Sequence, residues 1–177
     1  MVSRIAHGLI AVAMTLATAG TAVAQASSTN EVATKTDWSV FEDSNPKECW
    51  AVAAPKETVN TREGRIVSVK RGDILLMAFY RPGSGVTGQL AFTGGYGFAS
   101  GVPVTVNIDG NEFKLFSQGE WAWAESAADD AKIIAALKRG RSATVTGLSQ
   151  RSRTTTKDTF SLSGFTAAIE EAQTRCK

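Results

Sequence analysis

The hydrophobic pattern changes character along the chain. Leu9–Ala19 (LIAVAMTLATA) is one run of apolar and small residues behind a charged start at Arg4. From Trp38 onward the apolar positions come in short bursts with the spacing of strands. Trp38–Phe41 and Trp50–Ala53 are the first two. Ile66–Lys70 sets Val67 and Val69 between polar neighbours, which predicts a half-buried strand. Ile74–Tyr80 (ILLMAFY) is apolar throughout and predicts a central strand covered on both faces. Gln89–Thr93 is a weaker strand. Val104–Ile108, Asp109-Gly110 and Glu112–Phe116 together read as a hairpin, because Gly110 accepts a positive φ without steric cost. Ala143–Leu148 and Thr159–Ser163 predict two late strands.

Two stretches follow a helical period instead. Ser126 is placed to cap a helix running to Arg139, with Asp129 and Asp130 in its first turn and Lys138 and Arg139 in its last. Both charge sets oppose the helix dipole, and Gly140 supplies a stop. Phe165, Ala168, Ile169, Ala172 and Cys176 recur on one face of a second helix, Phe165–Cys176. Glu171 and Arg175 form an i,i+4 pair on its other face. About eight short strands with two peripheral helices, one of them C-terminal, predict a mainly β fold: a β-sandwich or barrel.

The first run has a different meaning. A charged start, an apolar stretch and Ala22-Val23-Ala24 before Gln25 form the three-part pattern of a secretory signal peptide, residues 1–24, cut after Ala24. As a helix Leu9–Ala19 reaches only about 16 Å, half the hydrocarbon thickness of a bilayer, which argues against a membrane anchor. Gln25–Thr36 is small and polar and reads as a disordered leader, residues 25–36. Residues 37–177 remain as a single β-rich domain.

Export changes what the composition permits. The chain has 177 residues, 43% hydrophobic and 20% charged, with a formal net charge of +2, which is ordinary globular composition. Its single histidine, His7, lies in the signal segment, so the exported protein has none. Histidine-based triads and histidine metal sites are thereby excluded, and neither a metal nor a cofactor is expected. Cys49 and Cys176 both survive the cut, and in an oxidising compartment an even pair predicts a disulfide.

Three clusters are candidate binding sites. Trp121 and Trp123 lie near Glu120, Glu125, Asp129 and Asp130, a composition that also suits a carboxylate-based, carbohydrate-active site. Tyr96 and Phe98 in Gly94-Gly95-Tyr96-Gly97-Phe98 form either a tight, packed turn or, with the two tryptophans, a ligand platform. Lys138, Arg139, Arg141, Arg151, Arg153 and Lys157 form a basic group suited to a solvated face or an anionic surface. Nucleic acid is not expected as a partner, because the exported charge is near balance and no aromatics separate these residues. Arg71-Gly72-Asp73 spells an adhesion tripeptide at a position where a turn wants Gly and Asp in any case.

Asp37-Trp38-Ser39-Val40, Cys49-Trp50-Ala51-Val52, Gly119-Glu120-Trp121-Ala122-Trp123 and Thr155–Ala168 ahead of Cys176 occur in an order that resembles the invasion-associated locus B (IalB) family of exported proteobacterial proteins. The resemblance covers roughly residues 37–177. It implies a β-rich periplasmic or envelope protein, outer-membrane associated or secreted in some settings, with a role in host-cell entry in pathogenic members. It carries no catalytic residue set. The reading is therefore a non-enzymatic envelope binding protein with an envelope or host-surface partner and no membrane span after the signal. The alternative is a small carbohydrate-active enzyme or carbohydrate-binding module.

Overall fold

The computed structural model describes residues 30–177. The expected signal peptide, residues 1–24, and residues 25–29 of the expected leader lie outside the described residues. Twelve strands and two helices follow in chain order: β1 (Glu31–Lys35), β2 (Trp38–Ser44), β3 (Lys47–Ala53), β4 (Glu57–Arg62), β5 (Arg65–Ile66), β6 (Leu75–Arg81), β7 (Val86–Thr93), β8 (Val104–Ile108), β9 (Asn111–Gln118), β10 (Trp121–Trp123), α1 (Ala127–Arg139), β11 (Ser142–Leu148), β12 (Thr155–Ser161) and α2 (Phe165–Arg175).

All pairings are antiparallel, in the order β1-β2-β3-β6-β7-β10-β9-β8-β11-β12-β4-β5. The sheet folds over on itself at β9. Residues Asn111–Leu115 pair with β8, whereas Phe116–Gln118 pair with β10. One layer is β1, β2, β3, β6, β7 and β10; the other is β8, β11, β12, β4 and β5. Their inner faces meet in a sandwich-like core where Phe92 of β7 packs edge-on to Phe160 of β12 at 6.1 Å. Trp38 is fully buried, donates its indole N–H to Ser161 O at 3.0 Å and packs against Phe165 at 4.8 Å.

Helix α1 starts as its cap residue requires: Ser126 Oγ accepts from the Asp129 amide. Gly140 follows it with an extended backbone at φ −80, so it is not the left-handed stop that the sequence suggests. Space is what demands glycine there, because a Cβ would lie 2.6 Å from Ile108 Cγ2. Helix α2 turns Phe165, Ala168, Ile169 and Ala172 into the core. The disulfide forms between Cys49 and Cys176, with Cα atoms 5.9 Å apart, and fastens the end of α2 to β3.

Several sequence expectations shift. Strand count rises from about eight to twelve. Residues 31–35 belong to no disordered leader: they form β1, an edge strand whose polar composition suits one paired side and one wet side. Ile66–Lys70 is no strand beyond Ile66, and an irregular crossing replaces it. The hairpin stands as predicted, and both turn residues take positive φ, Asp109 at 45 and Gly110 at 94.

Candidate functional site

Strand alternation gives each layer an inner and an outer face. In the second layer the outer positions are Thr105, Asn107, Thr144, Thr146, Thr155, Lys157 and Thr159, which is ordinary wetted surface. The first layer is different. Phe41, Trp50 and Phe79 are cross-strand partners on β2, β3 and β6. Phe41 stacks on Trp50 at 5.5 Å, and Trp50 on Phe79 at 6.1 Å. The guanidinium of Arg81 lies over the Phe79 ring at 4.4 Å. Met77, Ala91, Trp123 and Phe116 continue the same face across β6, β7, β10 and β9. Phe116 packs on Trp123 at 5.6 Å, and Trp121 on Trp123 at 6.4 Å. Phe116 is 50% exposed and Trp121 39%. Aromatic side chains from five strands, β2, β3, β6, β10 and β9, thus share the outer face of this layer as a stripe. Such a face stays wet only at a free-energy cost.

Trp121 and Trp123, picked from the sequence, sit in this stripe. The sequence does not single out Phe41, Trp50, Phe79 and Phe116. Their signal is present: in β3, Cys49, Ala51 and Ala53 point inward, leaving Trp50 and Val52 outward on a strand apolar on both sides. The same pattern in ILLMAFY reads as burial on both faces. The structure instead leaves Phe79 half-buried, while Met77 is buried.

Beside Trp123 the stripe drops into a cleft of about 600 Å³ between α1, β7 and the end of β9. Of the four candidate carboxylates, Glu120 lies on the exposed turn before β10. Glu125 and Asp130 line the cleft. Asp129 stays with its own helix: it accepts from Ser126 Oγ at 2.6 Å and Lys132 Nζ at 2.8 Å. The lysine contact, then the serine, hold its carboxyl below the usual range. Asp130 is buried, and its Oδ1 accepts from the Leu90 amide at 2.8 Å. Burial pushes its carboxyl up, against that bond. Among the described residues no group of three or more His, Cys, Asp or Glu is placed to hold a metal ion.

Tyr96 and Phe98 are not part of the platform. Phe98 is 4% exposed and packs on Phe92 at 5.9 Å. The Tyr96 hydroxyl is 2.6 Å from Thr156 Oγ1, and burial pushes its phenol up. Both rings serve a chain crossing. Gly95 at φ +71 lies so close to Gly72 that a Cβ would fall 2.5 Å from its carbonyl oxygen. Arg71 locks the crossing. Its guanidinium donates to Asp158 Oδ1 and Oδ2 at 2.7 and 2.6 Å and to Gly94 O at 2.8 Å. It also lies over the Tyr96 ring at 5.1 Å. The Arg71 side chain is 6% exposed, so the tripeptide Arg71-Gly72-Asp73 offers no arginine to a receptor.

The six basic residues do not form one patch. Lys138, Arg139 and Arg141 stand at the start of β11, while Arg151 and Arg153 stand in the turn at its other end. Seven residues of strand put about 20 Å between the groups. Lys157 lies between them on the wet face, and Lys138 is 3.5 Å from Glu170.

Comparison with known proteins agrees with this architecture. A family model described as invasion associated locus B (IalB) protein matches residues 38–173. The crystal structure of invasion associated protein b from Bartonella henselae superposes with a TM-score of 0.53 at 15% identity, covering 80% of this chain and 95% of that one. No curated protein matches. Among the described residues no helix is long and apolar enough to cross a membrane. With the family match running from Trp38 in β2 to Gln173 in α2, the chain belongs to the invasion associated locus B family.

Proposed function

We propose that this protein is an exported, non-enzymatic binding protein of the bacterial envelope, holding its partner on the aromatic face of its first layer. The stripe from Phe41 to Trp121 carries this reading, because the opposite outer face of the same sandwich is threonine-rich and polar. General stickiness is therefore not a property of the fold. Aromatic rings give much contact area for little conformational entropy, which suits a flat face that must capture an extended partner. In a pathogenic bearer the partner is a host-surface component, and elsewhere it is a resident of the envelope. Salt-bridged residues frame the stripe: Glu48 with Arg81, and Glu42 with Lys47 and Arg175.

The test is capture from a detergent extract of the native envelope, using the mature protein as bait. Phe41→Ser with Trp50→Ser should reduce the captured partner tenfold or more, the scale of losing hot-spot aromatics. Arg151→Ser with Arg153→Ser should leave it unchanged. Equal capture by wild type and the aromatic double variant refutes the reading, provided circular dichroism shows both folded.

A further inference from the structure

The cleft beside the stripe has chemistry that the flat face lacks, and it carries an inference beyond partner capture. Asp130, a residue 9% exposed, lines it. One carboxylate oxygen is fixed by the Leu90 amide. No donor among the described residues reaches the other oxygen, and the residue lines the open cleft. Among the described residues no buried side-chain oxygen lacks a partner, so this one is accessible from the cleft, where solvent or a ligand supplies the donor. One wall is aromatic: Phe116 and Trp123, 5.6 Å apart. The rest is neutral and bifunctional. Gln89 and Gln118 line the cleft, and because Gln89 Oε1 accepts from Arg81 at 2.9 Å, its amide N–H groups are left to donate. No lysine or arginine lines it.

We infer that this cleft binds a neutral saccharide ring of a glycan, stacked on Trp123 and Phe116 with a hydroxyl donating to the free oxygen of Asp130. A pyranose has an apolar C–H face for the aromatic wall and hydroxyls at its edge for the acceptor and the amides. A phosphate or carboxylate ligand is disfavoured by Asp130 and Glu125. An ammonium ligand would match the two carboxylates, but it makes no use of the glutamine amide donors.

The measurement is tryptophan fluorescence of the mature protein titrated with cellotetraose, chitotetraose and the fully deacetylated glucosamine tetramer. At least one neutral oligomer should give a saturable change below about 10 mM, the weak end of specific binding. Asp130→Asn keeps an oxygen for the Leu90 amide and turns the free acceptor into a donor. It should weaken that binding about tenfold, the scale of one hydrogen bond to a charged group. Phe116→Ala, at an exposed position, should weaken it as well and keeps the test open if the Asp130 variant does not fold. Saturation by the cationic glucosamine tetramer alone overturns the inference. So does the absence of any saturable change, or unchanged affinity in both variants. Envelope capture through Phe41 and Trp50 is read separately, so failure here is distinct from failure of the binding face.

Discussion

Breaking the Cys49–Cys176 bond should lower the stability of the domain by about 2–5 kcal/mol. The bond closes a loop of 127 residues' separation, so its loss returns a large amount of chain entropy to the unfolded state. What remains at that end of α2 is weak. Arg175 reaches Glu171 at 2.8 Å and Glu42 at 3.2 Å, and Lys35 reaches Glu171 at 3.3 Å. All are partly exposed ion pairs, which contribute little. Denaturant unfolding of Cys49→Ser with Cys176→Ser, compared with the oxidised wild type, measures the difference. Amide exchange should place the first loosening in the last turn of α2, next to β2 and β3. An unchanged midpoint would mean that the buried face of α2 holds the helix unaided.

Replacing Asp158 alone should cost about 3–5 kcal/mol, because it strands the Arg71 guanidinium in a buried place. Asp158 is fully buried on β12, and Arg71 comes from the irregular crossing between β5 and β6. Their two parallel hydrogen bonds, with those from Arg71 to Gly94 O and to Asn60 Oδ1 at 3.2 Å, tie the crossing to both layers. Removing both charges with Arg71→Met and Asp158→Leu should cost less than Asp158→Ala alone, since no unpaired charge remains. Thermal unfolding of the two single variants and the double variant forms a cycle that separates these costs. Additive losses would contradict a coupled pair.

These two devices differ in how far the sequence discloses them. The disulfide follows from counting cysteines in a chain whose first residues read as an export signal. Both helices follow too, from the Ser126 cap and from the spacing of Phe165, Ala168, Ile169 and Ala172. The Arg71–Asp158 pair does not, because its members lie 87 positions apart and only the sheet order joins them. Short strands such as β5 and β10 are hard to see for a related reason: two or three residues make no period, and their pairing partners define them. The aromatic face is half legible. Trp121 and Trp123 attract notice as a pair, but Phe41, Trp50 and Phe79 look like core in strands that are apolar on both sides. A single strand cannot say which of its two apolar faces is covered. That depends on where the second layer and the helices settle, and they settle on the Cys49 and Ala51 side. Of the two readings of the glycine-rich loop, the packed turn holds, with Phe98 in the core.

The central claim is that the first layer's outer face is where the protein meets its partner. Carbene footprinting of the mature protein, with and without solubilised native envelope, tests it most directly. Protection should fall on Phe41, Trp50, Phe79, Phe116 and Trp121, with Thr144, Lys157 and Thr159 labelled equally in both states. Protection confined to the threonine face or to the Arg151–Arg153 turn, with the aromatic stripe labelled as before, would contradict the account.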